Sequence, residues 1–298
     1  MPMSPRDSIR GFRGATAIIT GGASGIGKAL AGELAKRGCE VVLADRQIEL
    51  AEEVAAEIRS AGGRATAVEA DVTDFPAIER VVNETAQRTG RLDYMFNNAG
   101  IGIGGLAADF GIADWNEIID VNLRGVIHGA HAAGMVMLRQ GYGHIVNTSS
   151  LAGLMPSPGT TAYSTTKHAV VGLSKGLRGE MAHAGVRVSV LCPGVVRTPL
   201  LDGCGKYGKL LSGITSEQVR LMWESLRPMP ADVFAVKVID AVAKNKPIII
   251  VPAWWKVFWL INRFFPSFGL FLAEKAFMKM KKEMAPAAGP ARLRDRKP

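Results

Sequence analysis

"ATAIITGGASGIG", residues 15–27, sets an apolar run directly against a cluster of glycines. The run is short, apolar on both faces and bounded by turn residues, which reads as a buried strand. Behind it, Gly21, Gly25 and Gly27 follow a G-x-x-x-G-x-G spacing and lead into the helix-period segment "GKALAGELAKRG". A strand, a glycine turn and a helix can together hold a phosphate. Glycines permit a tight turn and close approach of the backbone, and the helix N-terminus presents amides and the positive end of a dipole. Glycine turns also serve packing, so the rest of the chain decides between the two readings.

Outward from this stretch the pattern repeats. Apolar runs at 15–20, 40–45, 65–71, 92–98, 143–150, 186–193 and 247–252 alternate with longer segments of helical period. Strict alternation predicts βαβ units, and runs apolar on both faces predict a parallel sheet covered on both sides. The expected fold is one doubly wound α/β domain of Rossmann type over residues 1–251, with ligands at the C-terminal ends of the strands. No linker-like break precedes Pro252, and residues 252–298 form an extension.

Asp45 closes the second strand, 18 residues after Gly27. A carboxylate there accepts hydrogen bonds from both hydroxyls of an adenosine ribose and repels a 2′-phosphate, which points to NAD. Arg46 follows it, and an arginine there can pair with that phosphate, which would favour NADP. The carboxylate, lying at the hydroxyls themselves, is weighed more heavily.

The segment "SSLAGLMPSPGTTAYSTTK" carries the chemistry. Tyr163 and Lys167 are four residues apart and share a helix face. A free tyrosine, with a pKa near ~10, is a poor base at neutral pH. A neighbouring ammonium favours the phenolate and makes the side chain usable as a general acid/base. Ser150, 13 residues before Tyr163 at a strand end, can position a substrate oxygen.

Together, Thr20–Gly27, Asp71 in "ADVTD", "NNAG" at 97–100, Asn122 in "DVNLRG", Ser150, Tyr163, Lys167 and "PGVVRT" at 193–198 resemble the short-chain dehydrogenase/reductase superfamily. The match runs in order from Gly14 to Pro252. The resemblance implies a nicotinamide-dependent oxidoreductase. Tyr163 would be its acid/base, Lys167 would bind the nicotinamide ribose, and Ser150 would hold the carbonyl or alcohol oxygen. Asn122 would anchor a water that relays protons from Lys167. The resemblance places Asp71 and Val72 at the adenine, and Asn98, Ala99 and Gly100 along the cofactor, with Asn97 bracing the sheet. Pro193 and Gly194 would turn the chain so that Thr198 meets the carboxamide. Ser24, Ile26 and Val196 complete the implied cofactor contacts. A homodimer or homotetramer is implied through helices near 115–139 and 162–183.

Other features weigh less. His128 and His131 form H-x-x-H but have no evident third ligand, so no metal is expected. Ser150 lacks a G-x-S-x-G elbow, which argues against a hydrolase. Cys39, Cys192 and Cys204 form an odd set without C-x-x-C spacing, which fits a reducing, cytoplasmic compartment. The N-terminus lacks the layout of a signal peptide. The formal charge is +9. Residues 1–251 hold 26 Lys+Arg against 24 Asp+Glu, whereas residues 252–298 hold 10 against 3. No nucleic-acid-binding motif accompanies that charge, so no nucleic-acid partner is expected.

The resemblance implies a mobile substrate loop at residues 195–230, which are rich in Leu and also hold Met222, Tyr207 and Trp223. An apolar lid suits a hydrophobic alcohol or ketone. The extension holds Trp254, Trp255, Trp259 and five phenylalanines up to Phe271. Its charges break it too often for a span of about 20 apolar residues. Pro252 is expected to open one short helix and Pro266 to end it, with a second from Ser267. The second would carry Leu270, Ala273, Phe277, Met280 and Met284 on one stripe. Such helices fit packing on the body, a subunit contact, or peripheral contact of 252–284 with a membrane. A nucleotide-binding scaffold with little catalysis is the alternative function, although a scaffold needs none of Ser150, Tyr163 and Lys167.

Overall fold

The computed structural model describes residues 11–201, 207–211, 213 and 215–284; Cys204 and residues 285–298 lie outside them, as do the side chains of Glu283 and Met284. The chain runs β1 (Thr16–Thr20), α1 (Gly25–Lys36), β2 (Glu40–Asp45), α2 (Ile48–Ser60), β3 (Arg64–Glu69), α3 (Phe75–Thr89) and β4 (Tyr94–Asn97). It continues with β5 (Gly102–Gly104), α4 (Ile112–Ile119), α5 (Gly125–Gln140), β6 (Gly143–Thr148), α6 (Thr161–Met181) and β7 (Val186–Pro193). Then follow β8 (Gly208–Leu210), α7 (Ser216–Ser225), α8 (Ala231–Ala243), β9 (Ile248–Val251), α9 (Trp255–Phe264) and α10 (Pro266–Met284).

The seven expected runs form one sheet of order β3-β2-β1-β4-β6-β7-β9, and every pairing in it is parallel. Chain order reverses between β1 and β4, which opens a crevice at their carboxyl ends. The two-residue period of the strands divides the core. Ala17, Ile19, Val41 and Leu43 pack toward α1, α2 and α8, while Ile18, Val42 and Ala44 pack toward α3 and α5. A third cluster joins Val170 and Val171 of α6 to Val190, Cys192 and Ile250, with Trp255 and Trp259 packed against it.

Three features depart from the sequence expectations. The helix expected near 115–139 is interrupted by a π-helical turn at Asp120–Arg124. The substrate-loop region contributes β8, which pairs with β5 as a separate two-stranded sheet; three-residue strands are too short to leave a periodic signal. The third departure is at the extension. Pro252 does not open a helix: it follows a cis peptide bond after β9, and its carbonyl accepts a hydrogen bond from Trp255 N. The first helix ends at Phe264, and Pro266 opens the second rather than merely stopping the first. Proline is well suited to the first helical position because the amide it lacks would have no partner there.

Gly129 of α5 lies flush on the sheet, where a Cβ would overlap Asn97 Oδ1 and approach Met95 Cε at 2.8 Å. Helix propensity favours alanine over glycine by roughly 1 kcal/mol. Gly129→Ala is nevertheless expected to destabilise the fold by about 1–3 kcal/mol, because the buried neighbours must shift. The midpoint of urea unfolding checks the sign: a rise would contradict this packing.

Candidate active site

The crevice is held together by side chain–backbone hydrogen bonds. Thr20 Oγ1, at the end of β1, accepts from Asn98 N at 3.0 Å and Ala99 N at 3.1 Å. Asn98 Nδ2 donates back to Thr20 O at 3.2 Å. The glycine turn passes so close to this edge that a Cβ on Gly21, whose φ is +65°, would lie 2.9 Å from Ala99 Cα. A Cβ on Gly27 would overlap Gly21 O, and Gly25 has a φ of +51°. The spacing therefore answers a backbone requirement: the turn must cross the end of β4 with no side chains between. Helix α1 starts at Gly25 with no side chain capping it from Ser24, which leaves its first amides directed at the crevice.

Asp45 closes β2 and is buried at 7% exposure. Its carboxylate accepts from Ala23 N and from Gln47 N, each at 3.0 Å. The two amides pin the group at the end of the crevice. Arg46 beside it is exposed.

The other group of residues comes from β6 and α6. Lys167 is buried at 3% exposure, and its Nζ donates to Thr148 O at 3.1 Å. It lies 5.4 Å from the Tyr163 ring centroid. Burial pulls its pKa from 10.5 down to about 8. Gly100 leaves the space for this ammonium, since a Cβ there would lie 3.4 Å from Lys167 Nζ and 3.1 Å from Asn122 Oδ1. Ser149 donates to Lys167 O at 2.7 Å, so its hydroxyl serves the helix. Ser150 is half-buried, and its Oγ accepts from Ala152 N at 3.2 Å. Thr148 Oγ1 is buried and has no protein partner.

One cavity of about 700 Å³ takes in both groups. Its lining includes Gly21, Ser24, Gly25, Ile26, Asp45 and Arg46, then Asp71, Val72, Asn98, Ala99 and Gly100. Ser150, Tyr163, Lys167, Pro193, Gly194, Val196 and Thr198 also line it. Of the residues singled out in the sequence, Gly27 and Asn122 stand behind the wall. Asn122 is fully buried at the centre of the π turn. Its amide accepts from Ile101 N at 2.8 Å and donates to Ile101 O at 2.9 Å. Asn97 donates to Asn147 Oδ1 across β4 and β6, a bracing contact. The two weighed histidines pack on Phe75, and His128 Nδ1 lies 2.8 Å from Val72 O. Cys192 is buried, and burial pushes its thiol up to about 12.

The sequence reading did not assign Trp255, Ala273, Ala276, Phe277 and Met280 to the cavity wall, where α9 and α10 place them. A helical stripe shows which residues face inward but not what they face. The stripe itself is shifted: Leu270 is 58% exposed, and Gly269 turns inward in its place. A Cβ on Gly269 would meet the Asn262 side chain of α9, so the two helices approach closely at this glycine.

A dinucleotide fits these residues. The crevice has the glycine cradle that a Cβ would fill, uncapped helix amides for a pyrophosphate, a fixed carboxylate for ribose hydroxyls, and an ammonium at the far end.

Comparison with known proteins shows the family and the fold. The family model described as short chain dehydrogenase matches residues 15–206. The chain is 39% identical over 194 residues to the oxidoreductase UcpA of Salmonella typhimurium strain LT2, covering 65% of this chain and 73% of that one. It is 38% identical over 187 residues to a 3-oxoacyl-[acyl-carrier-protein] reductase of Synechocystis, covering 62% of this chain and 76% of that one. A short chain dehydrogenase/reductase of Burkholderia phymatum, solved in complex with NAD, superposes with a TM-score of 0.77 at 28% identity. That match covers 96% of this chain and all of the other.

The buried ammonium makes stability depend on pH in a defined direction. With a folded pKa near 8 against 10.5 in the unfolded chain, the unfolded state binds more protons between these values, so stability rises with pH across that window. Below pH 8 the penalty is present in full. Lys167→Met is expected to be more stable than the parent at neutral pH and to lose that advantage toward pH 10. Urea midpoints of the two proteins at both ends of the window check this.

Proposed function

The chain belongs to the short chain dehydrogenase family of oxidoreductases, and we propose that it interconverts a hydrophobic secondary alcohol and its ketone with NAD as redox partner. The observation that carries the reading is the joint placement of Ser150, Tyr163 and Lys167 in one cavity with the glycine turn and Asp45. When bound, the nicotinamide supplies the hydride acceptor or donor. The glycine turn and the amides of α1 would bind the pyrophosphate, and Asp45 the ribose hydroxyls. Ser150 would hold the substrate oxygen by hydrogen bonding. Tyr163 Oη would take the hydroxyl proton as the alcohol is oxidised and return it on reduction. Lys167, one turn along α6, would bias Tyr163 toward phenolate and orient the ribose. Asn122, locked to Ile101, would hold the floor from which a water relay starts.

The lining supports this substrate class. Its charged side chains are Asp45, Arg46, Asp71 and Lys167. The first three belong to the adenosine end, and Lys167 is turned to the Thr148 carbonyl. The remaining wall, with Leu106, Met155, Leu210, Met222, Trp223 and Phe277, is apolar. Among the described residues it can desolvate a hydrocarbon body and carries no cation for an acid. Exposed Ile127 and Met135 on α5 support the homo-oligomeric contact that the resemblance implies.

Tyr163→Phe is expected to lower kcat on a lipophilic ketone by about 10³-fold. NADH affinity, followed by nicotinamide fluorescence, should stay nearly unchanged. Normal turnover by this variant would sink the assignment. Asp45 generates a second expectation. The parent should bind NAD more than about tenfold tighter than NADP through charge repulsion at the 2′-phosphate, and Asp45→Ser should narrow the gap. Competitive titration decides it, and tighter NADP binding by the parent would transfer the preference to Arg46.

A further inference from the structure

Helices α9 and α10 form a hairpin with two unlike faces. The inner face closes the active-site region. Trp255 lies flush on Gly194, so that a Cβ on Gly194 would overlap the indole. Phe277 reaches to 3.4 Å from the Cβ position of Gly159, and Asn262 donates to Leu154 O at 3.3 Å. The outer face is left largely to solvent among the described residues. Trp254, Val257, Phe258, Phe264, Phe265 and Phe268 are all exposed there, Phe264 at 70% and Phe265 at 65%. Of the 19 large apolar side chains exposed on the described residues, 12 fall within 254–278. A soluble surface rarely gathers them so densely unless the patch binds something.

The charges indicate what it binds. Lys256, Arg263, Lys275, Lys279, Lys281 and Lys282 accompany these helices, against Glu274 as the one acid up to residue 282. Arg263 lies 5.8 Å from the Trp259 centroid and Lys275 lies 4.5 Å from that of Phe271, so the cationic stems run along the aromatic surface. A second copy of the chain, meeting this face about a two-fold axis, would bring together two sets of six cations with one acid each to offset them. An anionic lipid surface accepts both components: acyl chains take the rings and headgroups take the ammonium groups. Among the described residues no helix is long and apolar enough to cross a membrane, so the hairpin would lie in the interface.

We propose that the outer face of the α9–α10 hairpin docks this protein on an anionic lipid bilayer, and that the active-site cavity receives its substrate from that bilayer. Ala273, Ala276, Phe277 and Met280 line the cavity, and Ala276 is also exposed. One helix thus separates the cavity from the lipid-facing surface, and a hydrophobic alcohol or ketone passes along it without entering bulk water. The second half of the proposal rests on the functional reading above; docking itself does not.

The test is flotation of the full chain with vesicles of phosphatidylcholine alone or mixed with phosphatidylglycerol. The parent is expected to float with the mixed vesicles and more than about tenfold less with the neutral ones. A Phe264→Glu/Phe265→Glu/Phe268→Glu variant should lose flotation while keeping NADH binding, since these side chains point away from the cavity. Lys275→Gln/Lys282→Gln should weaken it on mixed vesicles only. No flotation by the parent, equal flotation on both vesicle types, or full flotation by the triple variant would overturn docking. So would a triple variant that dissociates from dimer to monomer by light scattering, since the face would then be a subunit contact. Delivery is read separately, with a lipophilic ketone dissolved in mixed vesicles. The triple variant should show at least about a tenfold rise in apparent KM at unchanged kcat. An unchanged KM would overturn delivery from the bilayer, and lack of turnover by both proteins, with flotation intact, would count against the functional reading alone.

Discussion

The carboxyl ends of β1 and β4 are neighbours in the sheet, yet the chain leaves them toward opposite faces. Divergence at that point would open an unsupported gap in the backbone, and the Thr20–Asn98 clasp closes it. One hydroxyl accepts two amides, and one carboxamide returns to the opposite carbonyl, so the polar groups of both strand ends are satisfied without filling the crevice above them. The glycine turn then crosses the clasp at backbone distance. The positions of α1 and its amides, and of Asp45 through Ala23 N, all follow from that crossing.

The second constraint is a buried ammonium with no carboxylate beside it among the described residues. Lys167 is held by the Thr148 carbonyl, in space left by Gly100 and backed by Asn122. An isolated charge in such a place lowers stability. Its persistence is intelligible if the group is needed for chemistry one helical turn away, where an ion pair would cancel the field it exerts on Tyr163. The π turn at Asp120–Arg124 belongs to the same construction. It seats Asn122 on the Ile101 backbone between two helices that a continuous α-helix would run together.

The extension is joined to this centre rather than appended beside it. Gly194 N donates to Val251 O, which ties the turn after β7 to the end of β9, and Trp255 covers the same glycine. The hairpin therefore shares residues with the cavity on one side and presents rings and ammonium groups on the other. A single element thus walls the cavity on one face and leaves an aromatic, cationic face exposed on the other.

Strand and helix periods made most of the main sheet legible in the residues, because a buried parallel strand must be apolar on both faces and a covering helix on one. Glycine positions, the Asp45 strand end and the four-residue step from Tyr163 to Lys167 were legible for the same kind of reason: each is a local backbone or helix-face requirement. What lay beyond local pattern was decided by contacts between distant segments. The β5–β8 pair is too short to show a period, and Asn122 owes its π turn to Ile101. Leu270 and Gly269 exchange faces because α10 must cross Asn262. Sequence alone determined the sheet, the glycine turn and the helix-face pairing of Tyr163 with Lys167, since these depend on neighbours within a few residues. Only the tertiary structure decided that the C-terminal helices close the cavity and leave their aromatic face outward, since that depends on where Gly159, Gly194 and Leu154 stand when the sheet is complete.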